Sequence, residues 1–101
     1  MKTEQHRFII KGTSPPSIEV DSQARAVYVR FKRAPVAKTV PQESEQMAVT
    51  VDLDSRGEVI GIEAVGLRQF TLHALLKMAS VKAPNMDFSR AQYTPTEPVT
   101  A

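Results

Sequence analysis

The sequence contains no cysteine. Disulfides, thiolate metal sites and cysteine nucleophiles are therefore excluded. No apolar stretch approaches the roughly 20 residues that a membrane helix needs. The opening MKTEQHRFIIKG has no apolar core long enough for a signal peptide. The default expectation is a cytoplasmic protein with no membrane partner. Charge of one sign is also scarce. Thirteen basic and eleven acidic side chains leave a net +2, too weak a field to imply nucleic acid by bulk charge. The four glycines are scattered, so no phosphate-cradling loop is present. His6 and His73 lie in different segments without a triad or zinc partner, and Ser14, Ser17 and Ser44 lack a nucleophile motif. No cofactor, metal ligand or catalytic residue is expected.

What is present is ordinary globular composition, 42% apolar and 24% charged, in 101 residues, which suggests a single domain with a modest core. Residues 1–16 read as an N-terminal arm with a short strand at Phe8–Ile10, broken by GTSPPS, whose prolines remove two backbone donors. Residues 17–84 read as one α+β domain. In Arg25–Lys32, Val27, Val29 and Phe31 alternate with Ala26, Tyr28, Arg30 and Lys32, the period of a half-buried strand. A shorter strand at Ser17–Val20 precedes it, and Val36–Val40 is a further short candidate. Met47–Asp54 and Glu58–Val65 alternate again around the turn DSRG. Leu72, Leu75, Leu76 and Ala79 then fall at helical spacing, with Thr71 as N-cap and Pro84 as the stop. The tail 85–101 reads as disordered. The predicted fold is a three- to four-stranded antiparallel meander. The helix packs on one apolar face of Val27, Val29, Phe31, Val49, Val51, Leu53, Ile60 and Ile62.

Asp52, Asp54 and Glu63 raise the question of a carboxylate site. With Ser55 and Arg56 at the turn centre, Val51 faces Ile60 and Val49 faces Ile62, apolar against apolar. Glu63 then lies opposite Ala48, roughly 13 Å from Asp52 at about 3.4 Å per residue. Such carboxylates do not converge on a cation. Asp54 reads as a turn former.

Part of this pattern resembles a family of small bacterial proteins known as domain of unknown function 2283. Asp21, Ala26, Tyr28 and Arg30 match its first block, and Asp52, Leu53, Asp54, Gly57, Val59, Gly61, Ile62 and Glu63 match its hairpin. Arg25 stands where the family usually has Asp. The resemblance covers about residues 17–66. It implies an antiparallel sheet with a helix, supplies no established activity, and brings in an antitoxin-like binding role. Asp21, Tyr28, Arg30, Asp52, Asp54, Gly57, Gly61 and Glu63 are thus candidate motif residues without an assigned role.

Charge is segregated along the chain: net +5 over residues 1–40, −5 over 41–66 and +2 over 67–101. A basic strand beside an aromatic suits RNA, with Tyr28 stacking and Arg30 and Lys32 on phosphates. Acidic residues on neighbouring strands would pair with those cations first. The favoured expectation is a non-enzymatic protein-binding module, antitoxin-like or regulatory, that meets another protein or a second copy through a sheet edge. The alternatives are a metal- or carboxylate-dependent hydrolase using Asp52 and Glu63, and a small RNA-binding protein using Tyr28, Arg30 and Lys32.

Overall fold

Alternation becomes strand and the 3.6-residue stripe becomes helix. The computed structural model describes residues 6–42, 48–66, 71–90 and 92–95. Its elements are β1 (Phe8–Ile9), β2 (Ser17–Asp21), β3 (Ala26–Arg30), β4 (Lys38–Gln42), β5 (Ala48–Leu53), β6 (Val59–Val65), α1 (Leu72–Ala79), β7 (Val81–Lys82) and β8 (Gln92–Pro95). The class is α+β, as expected. The sheet is larger than expected. Its order is β4-β5-β6-β3-β2-β8, and the first five strands are antiparallel.

It is also not one meander. β2–β3 is one hairpin and β4–β5–β6 is a second unit, and the two meet where β3 pairs with β6, Val29 opposite Ile62. Residues 31–37 carry the chain from β3 to the far edge, so β4 becomes an outer strand. The expected disorder of the tail does not hold for its described part. Backbone pairing sets β8 parallel to β2, Ile18 opposite Tyr93, which asks nothing of side-chain hydrophobicity. Residues 96–101 of that tail lie outside the described residues.

The β5–β6 register differs from the sequence reading by two residues. The turn centre is as expected, with Gly57 N–H donating to Asp54 O at 3.0 Å. Gly57, at φ 79°, adds one residue to the loop in the left-handed conformation that glycine alone adopts without strain. A bulge at Asp52/Leu53 adds another. Val51 therefore faces Ile62, and Val49 faces Ala64. Each single shift would swap the faces. Together they restore them, so the apolar set still points inward.

That inner face carries Val27, Val29, Val49, Val51, Leu53, Ile62 and Ala64, closed over by Leu72, Leu75, Leu76 and Ala79. Phe31 packs partly buried against this cluster, and Ile60 is fully buried outside it. Thr71 Oγ1 accepts from Ala74 N–H at 3.1 Å, the expected cap. The helix stops earlier than Pro84 would require. Ser80 takes φ 56°, and its N–H turns back to the Leu76 and Lys77 carbonyls. This frees Val81–Lys82 to pair in parallel with β1, Phe8 opposite Val81 and Ile9 opposite Lys82.

A buried glutamine joins these parts. Gln42, only 6% exposed, donates from Nε2 to the carbonyls of His6 and Ala79, each at 2.6 Å, and accepts from His6 N–H at 3.2 Å. One side chain thus pins the arm and the helix end to β4.

Candidate functional site

The outer face of the sheet gathers most of the motif residues, in two rows that cross the strands. Arg30, Gly61, Asp52 and Thr39 form one row, and Glu19, Tyr28, Glu63 and Thr50 the next. Tyr28 leans from its own row across Gly61. There its Oη donates to Asp52 Oδ2 at 2.8 Å, while Thr39 Oγ1 donates to Asp52 Oδ1 at 2.7 Å. A Cβ on Gly61 would stand 2.5 Å from the Tyr28 ring. The glycine is therefore a floor for the aromatic, which lets Tyr28 reach Asp52 across it.

The Arg30 guanidinium lies over the same ring, 4.9 Å from its centroid, and reaches Glu19 at 3.5 Å. Both contacts favour the cation where it stands. Arg30 Nε is buried without an acceptor among the described residues. Burial, then the hydrogen bond to Asp52, pushes the Tyr28 phenol well above its usual range, with Arg30 opposing.

The corrected register brings Glu63 opposite Thr50 rather than Ala48, one diagonal step from Asp52. The two carboxylates are thus closer than the sequence reading places them. Asp52 nevertheless accepts two hydroxyl hydrogen bonds, and Glu63 is exposed. Among the described residues no group of three or more His, Asp or Glu side chains could hold a metal ion.

Other motif residues lie apart from this face and serve turns. Asp54 Oδ1 accepts from Arg56 N–H at 2.9 Å and Glu58 N–H at 3.0 Å, while Oδ2 pairs with Lys32 Nζ. Lys32 holds the Asp54 carboxyl down to about 2, with help from the two amides. Asp21 Oδ1 accepts from Ala24 N–H at 3.1 Å in the β2–β3 turn. Arg25, in that turn, has φ 54°, a conformation that Asp and Asn tolerate better than Arg. The expected neutralisation of Arg30 and Lys32 does occur, but their partners are Glu19, Asp54 and Glu58 rather than Asp52 and Glu63.

A second region gives no motif signal. Ile9 is 65% exposed, and two open clefts share it. One, of about 560 Å³, is lined by Arg7, Phe8, Leu76, Lys77, Val81 and Lys82. The other, of about 520 Å³, includes Ile10, Lys11, Phe31, Val59 and Met86. Arg7, Lys11, Lys77 and Lys82 take part in no ion pair among the described residues. No described helix is long and apolar enough to cross a membrane. In comparison with known proteins, no family model, curated protein or solved structure matches this chain.

Proposed function

We propose that this chain is a non-enzymatic, cytoplasmic protein-binding module, antitoxin-like or regulatory in role, whose partner is another protein or a second copy. The observation that carries this reading is the contrast between two surfaces. On the sheet's outer face, all the chemistry-bearing groups but the exposed Glu63 are engaged with one another: Asp52 with Tyr28 and Thr39, and Arg30 with Glu19 and Tyr28. Lys32 is likewise engaged by Asp54 and Glu58. A hydrolase would need Asp52 free to hold a water or a cation, and an RNA site would need an open aromatic with uncompensated cations. Around β1, by contrast, an exposed aliphatic side chain and cations without an ion pair among the described residues stand beside apolar clefts, the composition of an interaction surface.

The outer strand β4 is a poorer docking edge. It carries Lys38 and Pro41, and Pro41 has no N–H to give a neighbour. The test uses the purified protein as bait in an extract of its native host, followed by titration of the retained partner against the isolated chain. Saturable one-to-one or two-to-two association supports the reading. Turnover of a phosphoester, ester or peptide substrate that Asp52→Asn abolishes would overturn it.

A further inference from the structure

Resting on the protein-binding reading, we infer that β1 is an open strand edge that takes an acidic, extended peptide segment of a partner, with Ile9 at its centre. Phe8 N–H donates to Ser80 O at 2.9 Å and Ile10 N–H to Lys82 O at 2.7 Å. Both of those amides therefore point at β7. In a strand, successive backbone groups point to opposite sides. The N–H and C=O of Ile9, the residue between, face away from β7, and no described group bonds to them. A peptide laid along that side gains main-chain hydrogen bonds, and its alternate side chains reach the clefts on either side of Ile9.

Charge selects the occupant. Arg7, Lys77 and Lys82 rim one cleft and Lys11 the other. Glu58 also lines the second cleft, where it is paired with Lys32, as is Asp54. A segment with Asp or Glu alternating with aliphatic residues matches both the apolar lining and the cations, which have no ion pair among the described residues. Nucleic acid suits the rim but not the centre: an exposed isoleucine offers no stacking face, and Tyr28 lies on the sheet's outer face beneath Arg30. β1 is anchored at its start, because Gln42 holds both backbone groups of His6, two residues before it.

The experiment is selection of displayed random peptides on the immobilised full chain, then fluorescence anisotropy with the enriched peptide. Enriched sequences are expected to alternate acidic and aliphatic residues. Binding should fall at least about tenfold with Ile9→Asp and with the Lys77→Glu/Lys82→Glu double variant, and weaken steeply with added salt. N-methylation of the peptide's central amide should abolish it. All three substituted side chains are exposed, and unchanged circular dichroism checks the fold. Several outcomes overturn the inference: no enrichment, equal binding of a lysine-for-glutamate peptide, equal binding after N-methylation, or full competition by oligouridylate. Self-association that Ile9→Asp abolishes would also overturn it, by making a second copy the occupant. A host partner that the Ile9→Asp protein still retains would sink this inference while leaving the binding-module reading intact. A host partner retained by neither protein would sink that reading as well.

Discussion

Replacing Gly61 by alanine tests the reading of the outer face. Gly61 has no positive φ, so a methyl group is permitted by its backbone and is opposed only by Tyr28. The new carbon would stand 2.5 Å from Tyr28 Cε1, Cζ and Oη, where unbonded atoms settle at about 3.5–4.0 Å. The ring must retreat by about 1 Å or more, which breaks the hydrogen bond to Asp52. A bond to a charged acceptor contributes about 1.5–3 kcal/mol, and the Arg30 contact about 0.5–1 kcal/mol. Alanine recovers about 0.5–1 kcal/mol over glycine within a strand. Gly61→Ala should therefore cost about 1.5–3 kcal/mol. In a Tyr28→Ala background the same change should be neutral or mildly stabilising. Urea unfolding of the four proteins, followed by circular dichroism, gives the coupling energy directly, provided the slopes agree. An equal cost of Gly61→Ala in both backgrounds would refute the argument and place the need for glycine in the backbone.

Gln42→Leu should leave the buried Ala79 carbonyl and the part-buried His6 carbonyl without their donor, costing about 1–3 kcal/mol, and hydrogen exchange at the Phe8 and Ile10 amides should quicken. Arg25→Asn, relieving a left-handed residue, should raise stability by about 0.5–1 kcal/mol in the same urea assay. For Asp54, the folded carboxyl titrates below the unfolded one, at about 2. Its contribution is thus full above about pH 4 and is lost as pH falls through about 2. The urea midpoint should drop across that window, and Asp54→Asn should flatten the drop. Leu75→Ala, at a fully buried position, should cost about 2–5 kcal/mol, read as the shift in urea midpoint.

The elements legible in the sequence are those whose periodicity repeats over several residues. Ala26–Arg30 and Ala48–Leu53 alternate without a break, and Leu72–Ala79 carries a complete stripe. The β5–β6 pairing was not legible because a left-handed Gly57 and a bulge each move the register by one, and neither leaves a mark in the hydrophobic pattern. The outer face was legible as a set of residue types but not as a constellation. Tyr28 meets Asp52 across an intervening strand, a relation that depends on where β6 settles. Gln42 sits in a proline-containing stretch without a clear period, and its role exists only once His6 and Ala79 have come to it. β1 is two residues long, too short for any pattern to show which of its sides faces β7.

The pairing of β1 with β7 joins residues 8–9 to residues 81–82, which has a consequence in time rather than in space. During synthesis the arm is made well before the strand it docks on, with β2 to α1 in between. At about 5–20 residues per second, Ile9 and its flanking cations stay undocked for several seconds. The β4–β5–β6 unit, built from near neighbours, can close in that interval without them. Loop closure across so long a separation also slows this step of refolding relative to the hairpins. Docking of the arm thus comes late in assembling the chain, as does pairing of β8 with β2, which spans a similar separation.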